Sequence, residues 1–288
     1  MHHTNRRDFL KSSIALGAAA ALPMTAWPAG KAQANDIIEL GPSKVKVSRL
    51  AMGTGTFGGG RSSNQMRKLG ADGVADLWWD GYDHGVFFLD TADTYGTHDA
   101  VKVALKKIPR EKVTIQTKTS ARTAEAMKAD LDRFRSEMGT DYIDIVLLHS
   151  RASAKWDELD KGPMDVLSEA KEKKIIRTMG ISSHGVGALE TAIKSPWLEV
   201  ILARINPIST RMDVSSDDML KYLARLRAAG KGIIGMKILA EGAMKDRVDE
   251  ALRFTLSHGA VDAFTIGMES RAELEENIAR IIKNSQPA

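Results

Sequence analysis

Short apolar segments alternate with longer amphipathic segments along most of this chain. The apolar segments are rich in β-branched residues, as expected of buried parallel strands. They cover residues 49–54, 86–90, 113–118, 142–149, 176–182, 200–206, 232–237 and 262–267. The segments between them repeat their apolar positions with a helical period. These predicted helices cover residues 72–84, 98–107, 123–138, 162–174, 185–194, 216–229, 246–258 and 270–283.

Eight strand–helix units of about thirty residues each are the pattern of a (β/α)8 barrel, also called a TIM barrel. An open doubly wound sheet is the alternative, because it is built from the same units. Ahead of the first unit, the alternating residues on either side of Gly41-Pro42 predict a hairpin. The pattern therefore predicts an α/β fold of the TIM barrel type with an N-terminal hairpin.

The first 34 residues have the layout of a twin-arginine export signal. Arg6 and Arg7 precede the apolar run 14–22, which is too short to span a bilayer. The small residues Ala32 and Ala34 form a cleavage site. We therefore predict a leader over residues 1–34 and a barrel over residues 35–288. The expected partner is the twin-arginine export machinery, with a periplasmic or otherwise exported location. The alternatives are an amphipathic first helix or a membrane anchor, whereas we expect no stable anchor after cleavage.

Composition narrows the possible functions of the barrel. Apolar residues make up 43% of the 288 positions, as in ordinary globular proteins. Four of the 41 Lys and Arg residues and one of the 37 acids lie in the predicted leader, so the remainder carries a net charge of only +1. This near balance, without a basic stripe, argues against nucleic acid as a partner. The absence of cysteine excludes disulfides and thiolate metal sites, and we predict no metal site.

Polar residues at the ends of three consecutive predicted strands are the candidates for catalysis. Asp90 ends one strand and is followed by Tyr95, while Lys118 and His149 end the next two strands. All carboxyl ends of barrel strands meet at one rim, so these side chains should lie together. Taken singly, Asp90 could be a helix cap, Tyr95 a loop aromatic and His149 a structural residue. Their joint occurrence favours a site.

The chemistry of these four residue types suits the reduction of a carbonyl group. A tyrosine with an ordinary pKa near ~10 is a weak acid at neutral pH, and a neighbouring ammonium group should lower that pKa. A carboxylate can hold the lysine in place, and a neutral histidine can orient a carbonyl oxygen. This set can protonate an oxygen on which negative charge develops. No side chain supplies a hydride, so a nicotinamide cofactor is implied.

Five motifs in order resemble the aldo-keto reductase superfamily. They are DTADTYG at 90–96, IQTK at 115–118, VLLH at 146–149, GISS at 180–183 and GMESRAELEEN at 267–277. The resemblance implies a (β/α)8 barrel and an NAD(P)H-dependent enzyme that reduces an aldehyde, ketone or sugar. It implies Tyr95 as general acid, tuned by Asp90 and Lys118, with His149 orienting the substrate.

The resemblance also implies a set of cofactor-binding residues. They are Thr56, Phe57, Ser182, Ser183, Asn206, Lys237, Leu239, Gly267, Ser270, Arg271, Glu276 and Asn277. Ser183 stands where many members carry asparagine, and Glu273 stands where many carry a basic residue that grips the 2′-phosphate of NADP. NADP is the expected cofactor, with Arg271 compensating for Glu273, and NAD is the alternative.

The substrate pocket and the activity itself each leave an alternative open. The resemblance implies an open pocket shaped by loops 57–71 and 150–161, in which Trp156 either lines the pocket or packs against its loop. The competing function is a redox-sensing or structural barrel that binds dinucleotide with little turnover. A carboxylate-based hydrolase ranks last, because Asp90 paired with Lys118 would be a poor general acid.

Overall fold

The computed structural model describes residues 31–285, in which eight parallel strands close into a barrel. The barrel strands are β3 (Leu50–Gly53), β4 (Phe88–Asp90), β5 (Thr114–Thr119), β6 (Ile143–Arg151), β7 (Ile176–Ser183), β8 (Val200–Arg204), β9 (Gly232–Met236) and β10 (Ala263–Gly267). They pair in chain order, and pairing of Phe264 with Leu50 closes the barrel. The predicted (β/α)8 fold is confirmed, and the open-sheet alternative is wrong.

Helices separate the strands and cover the outside of the barrel. They are α1 (Asn64–Asp83), α2 (His98–Ala104), α3 (Ala124–Met138), α4 (Trp156–Leu159), α5 (Lys161–Glu172), α6 (Val186–Lys194), α7 (Ser216–Ala228), α8 (Val248–Ser257) and α9 (Arg271–Asn284). Threonine and serine side chains begin several of them; the Thr123 hydroxyl, for example, accepts the Ala126 N–H at the start of α3. Gly139 then ends α3 with a left-handed φ of 65°.

The predicted hairpin closes the amino-terminal end of the barrel. It consists of β1 (Ile37–Leu40) and β2 (Val45–Ser48), which pair antiparallel. Leu40, Val45 and Val47 belong to the same apolar cluster as the inward-facing side chains of the barrel strands. A second and larger apolar cluster lies between strands and helices. The hairpin therefore plugs one end, and the carboxyl ends of the strands remain free for a site.

Of the two loops that we predicted to shape the pocket, the first is shorter than predicted and the second decides between our two alternatives for Trp156. Residues 64–71 belong to α1, because Ser63 caps a helical turn that continues past Gly70, where a φ of 65° interrupts the helical pattern. In loop 150–161, Trp156 is buried against Trp197 at a ring distance of 5.9 Å and donates its indole N–H to Ala188 O. Trp156 therefore packs against its surroundings and does not line the rim, as the second of our two alternatives stated.

The end of the predicted leader contacts the barrel, whereas residues 1–30 lie outside the described part of the chain. Ala32 and Ala34 are buried, and Ala34 O accepts a hydrogen bond from Leu50 N at 2.9 Å. None of the helices within residues 31–285 is both long and apolar enough to cross a membrane.

Candidate active site

The four predicted catalytic residues lie together at the carboxyl ends of β4, β5 and β6. Asp90 is the last residue of β4, and Lys118 and His149 lie near the ends of the next two strands. Tyr95 ends a short 3-10 turn, Asp93–Tyr95, which Gly96 terminates with a φ of 67°. Parallel pairing of neighbouring strands, such as Asp90 with Gln116, brings these strand ends to one rim.

Asp90 and Lys118 form a buried ion pair in which every charge is hydrogen bonded. Lys118 Nζ donates to Asp90 Oδ1 at 2.5 Å and to Thr91 O at 2.7 Å. Gln116 and Thr265 donate to the two oxygens of Asp90 at 2.7 and 2.9 Å. Burial lowers the pKa of Lys118, but attraction to Asp90 and Tyr95 outweighs burial, so the net pKa is raised. Lys118 is therefore a fixed cation.

Tyr95 lies beside this cation, with Lys118 Nζ 4.9 Å from the centre of its ring. Burial raises the pKa of Tyr95, and the opposing effect of Lys118 does not cancel it. From the sequence we expected the ammonium group to bring the pKa of Tyr95 below its ordinary value. In the protein without bound ligands this expectation is wrong. The reason is desolvation, because the half-buried side chain loses more hydration on becoming a phenolate than one cation replaces. Tyr95 is thus a neutral phenol at neutral pH.

His149 is a neutral imidazole next to Tyr95. The two rings meet edge to face at 5.7 Å, and His149 Nδ1 lies 3.4 Å from Thr94 Oγ1. Burial and the positive charge of Lys118 lower the pKa of His149 to about 3. A second imidazole, His184, meets His149 edge to face at 6.4 Å, and burial with the charge of Arg204 lowers its pKa to about 4. Our sequence prediction missed His184, although it directly follows the GISS motif.

The predicted cofactor residues of β7 and β8 are engaged within the protein. Ser182 Oγ accepts from Ser150 N, and Ser183 Oγ donates to Gly185 O at 3.3 Å. Both amide atoms of Asn206 hydrogen bond to the backbone of Thr210 at 3.0 Å. Asn206 therefore holds its own loop, and its role toward a cofactor stays a prediction.

Arg204, at the end of β8, has a donor that the described residues leave unused. Its guanidinium donates to Arg211 O at 2.5 Å, while its Nε is buried with no hydrogen-bond partner within residues 31–285. Lys237 follows β9 with a φ of 59° and forms an ion pair with Glu241. Leu239 lies in the same segment, partly buried. The buried Nε of Arg204 is thus a donor that a carbonyl or anionic oxygen of a ligand would satisfy, and the roles of Lys237 and Leu239 toward a cofactor stay predictions.

The end of β10 and the start of α9 hold the remaining predicted cofactor residues. Gly267 packs directly against Thr56, and a Cβ added to Gly267 would overlap the Thr56 hydroxyl. Ser270 caps α9 by accepting the Glu273 N–H at 3.2 Å, and the Glu273 carboxylate accepts the Glu269 N–H at 2.7 Å. Of the other three, Arg271 pairs with Asp80 and Glu275, Glu276 pairs with Arg280, and Asn277 is buried. Phe57 lies on the first loop with its side chain 74% exposed.

A network of charges behind Tyr95 was not predicted. Atoms of Asp93, His98 and Glu137 that could bind a metal lie within 4.8 Å of one another. Arg61 and Arg133, however, each donate to both carboxylates at 2.7–3.1 Å. The guanidinium groups already neutralise the carboxylates, so the arrangement is that of an ion-pair network.

The closed barrel places the chain in the class of (β/α)8 proteins, whose active sites lie at this end of the barrel. The aldo/keto reductase family pattern matches residues 49–251, and the pattern of a twin-arginine translocation signal sequence matches residues 3–23. The chain belongs to the aldo/keto reductase family and is an oxidoreductase. The signal sequence supports export by the twin-arginine machinery.

Relatives of known name agree with this assignment. An NAD/NADP-dependent indole-3-acetaldehyde reductase of Schizosaccharomyces pombe is 26% identical over 83% of this chain and 78% of its own. An NADH-specific methylglyoxal reductase of Escherichia coli is 24% identical over 61% of this chain and 60% of its own. A solved aldo-keto reductase of Bacillus halodurans covers 88% of this chain and 97% of its own, with a TM-score of 0.68 and 18% identity, and shares its fold.

Proposed function

We propose that this enzyme reduces the carbonyl group of an aldehyde, ketone or sugar to an alcohol, using a reduced nicotinamide dinucleotide. The observation that carries the proposal is the buried Asp90–Lys118 pair beside Tyr95. A tyrosine that must give up a proton needs a fixed cation next to it, and a surface lysine would not remain in place.

In this proposal, Tyr95 donates its proton to the carbonyl oxygen while the carbonyl carbon accepts a hydride. When bound, the nicotinamide supplies that hydride. Lys118 stabilises the phenolate that remains, and Asp90 holds Lys118 in position. His149 is neutral, and in the tautomer in which Nδ1 accepts from the Thr94 hydroxyl its Nε2 carries the proton that holds the carbonyl oxygen. The four roles together orient and protonate one oxygen atom.

The cofactor preference follows from charges at the start of α9. The Glu273 carboxylate lies in the turn that would face the adenosine ribose, where it would repel a 2′-phosphate and could accept from a 2′-hydroxyl. Arg271, which we expected to compensate, is already paired with Asp80 and Glu275. Lys68 is likewise paired with Glu269. These contacts favour NAD over the NADP that the family resemblance suggested.

The proposed location is the periplasm, with a mature chain that begins at Asn35. The twin-arginine signal supports export of an already folded protein. Cleavage after Ala34 would remove the Ala34 O acceptor of Leu50 N, so residues 31–34 must detach from the barrel first. N-terminal sequencing of protein from the periplasmic fraction tests the boundary, and a start other than Asn35 would correct it.

The decisive experiment compares wild-type protein with Tyr95→Phe. Methylglyoxal and indole-3-acetaldehyde are suitable probes, because relatives are named for their reduction. Oxidation of NADH and NADPH is followed by absorbance, and dinucleotide binding by fluorescence titration. We expect Tyr95→Phe to lose at least about 100-fold in kcat with an unchanged Kd for dinucleotide. Full activity in this variant would refute the role of Tyr95, and tight binding without turnover in the wild type would favour a dinucleotide-binding barrel.

A further inference from the structure

The loop between β3 and α1 lies directly on the Tyr95 ring. A Cβ added to Gly55 would lie 2.5 Å from Tyr95 Cε2 and 2.9 Å from the phenol oxygen, and one added to Gly58 would lie 2.5 Å from Cδ1. Only glycine allows this approach. The loop Gly55–Arg61 therefore forms one wall around the side chain that we propose as the proton donor.

The glycines make this wall intrinsically mobile. Gly59 and Gly60 have open space around them. The backbone hydrogen bonds of the segment are a turn bond from Gly58 N to Gly55 O, a reciprocal pair between Gly59 and Ser62, and a bond from Asn64 N to Thr56 O. Three consecutive glycines carry a high conformational entropy, so the loop needs an anchor to stay on Tyr95. Phe57 does not supply one, because its side chain is 74% exposed.

Arg61 ties the carboxyl end of this loop to the tyrosine turn and α3, whereas Thr56 Oγ1 at its start accepts from Gln65 Nε2 of α1 at 2.7 Å. The Arg61 guanidinium donates to Asp93 Oδ1 and to Glu137 Oε1, both at 2.8 Å. Asp93 begins the 3-10 turn that ends at Tyr95, and Glu137 lies on α3. The carbonyl of Arg61 also packs on Gly96, where any side chain would overlap it. One residue thus links the loop, the tyrosine turn and α3.

The anchor point is rigid without Arg61. Glu137 also accepts from His98 Nδ1 at 2.7 Å, and the other nitrogen of His98 contacts Thr117, the neighbour of Lys118 on β5. Arg133 donates to both Asp93 and Glu137 at 2.7 and 3.1 Å. Removal of Arg61 therefore frees the loop and leaves Asp93 and Glu137 paired.

We infer that Arg61 is a positioning residue that clasps the glycine loop against Tyr95. Closed, the loop keeps water away from the phenol and restricts its ring to the orientation beside Lys118. Open, the loop exposes one side of the ring. The inference concerns the same site and rests on the proposed function for its effect on turnover, whereas its effect on the loop is independent of any reaction.

The test compares Arg61→Ala and Arg61→Lys with Arg225→Ala as a matched control. Arg225 lies on α7 and forms an ion pair with Glu190 on α6, so it does not belong to the glycine loop or the tyrosine turn. The side chain of Arg225 is 48% exposed, close to the 52% of Arg61. Chymotrypsin cleavage after Phe57 reports loop opening, and kcat with dinucleotide Kd reports turnover. We expect Arg61→Ala to be cleaved at least about five times faster and to lose about tenfold in kcat measured at saturating dinucleotide. Arg61→Lys should recover most of both, and Arg225→Ala should change neither.

An unchanged rate of cleavage in folded Arg61→Ala would overturn the clasp. Faster cleavage with an unchanged kcat would overturn the positioning of Tyr95. Should Arg61→Ala unfold, Arg61→Gln replaces the cation with a shorter, neutral amide donor and gives the same comparison. A failure of the proposed function can be told apart from a failure of the clasp. If only the proposed function is wrong, Tyr95→Phe keeps its activity while Arg61→Ala still opens the loop.

Discussion

Replacement of Lys118 by methionine tests the electrostatic part of the mechanism. The substitution removes a buried cation 4.9 Å from the Tyr95 ring centre and leaves a chain of similar length. Unit charges at this distance interact by about 3.4 kcal/mol at an effective dielectric constant of about 20. The pKa of Tyr95, which burial already raises, should therefore rise further, since Asp90 would then act on it unopposed.

Two measurements check this expectation. The pH dependence of kcat should show its alkaline limb shifted upward, because Tyr95 must be protonated to act and now loses its proton only at higher pH. A weaker acid transfers its proton more slowly, so kcat at pH 7 should fall at least about 100-fold. Dinucleotide Kd should stay within about threefold of wild type. Lys102→Met, on the exposed side of α2, is the matched control and should have no effect.

The Lys118→Met variant also has a cost in stability that must be separated from its effect on catalysis. Asp90 would remain buried with Gln116 and Thr265 as its side-chain donors. Removal of one partner from a buried ion pair costs about 3–5 kcal/mol, so the unfolding midpoint in urea should fall. Wild-type kcat in a folded Lys118→Met protein would refute the role of the cation, whatever its stability.

Four other substitutions test separate parts of the structure. His149 has a pKa of about 3 in the folded protein and an ordinary value of about 6.5, so only the unfolded chain binds a proton there as the pH falls from 7 to 5. This proton binding should lower the unfolding free energy by about 2 kcal/mol between pH 7 and 5, as measured by urea titration at both pH values. The same loss should be absent in His149→Gln. Glu273→Arg should tighten NADPH binding at least about tenfold relative to NADH; an unchanged ratio in a fluorescence titration would contradict our assignment of this turn. Trp156→Ala should lower the unfolding free energy by about 3–5 kcal/mol, with a KM close to wild type. Gly55→Ala should reduce kcat, since its Cβ would displace the Tyr95 ring, and full activity there would show that the loop yields.

The periodicity of the sequence was sufficient to predict the barrel. Each barrel strand begins and ends within two residues of its predicted bounds, because β-branched apolar runs and helical repeats are local signals. Two helical segments differ. α1 begins eight residues before its predicted start at residue 72, since the left-handed Gly70 hides the first turns from a periodic pattern. The short helix α4 lies in the segment 150–161, which was predicted as a loop. The meeting of Asp90, Lys118 and His149 also followed from sequence, because a parallel barrel brings consecutive strand ends to one rim.

Other features depend on contacts between residues far apart in the chain, and only the tertiary structure decided them. The direction in which the pKa of Tyr95 shifts is the balance between desolvation and one cation, and burial is invisible in a linear pattern. The packing of Trp156 on Trp197 and the ion pair of Arg271 with Asp80 are likewise long-range. Arg61 and Glu137 are 76 positions apart in the sequence, so no local motif predicts their hydrogen bond. Local patterns determine which elements form, whereas burial and charge balance arise only once those elements pack together.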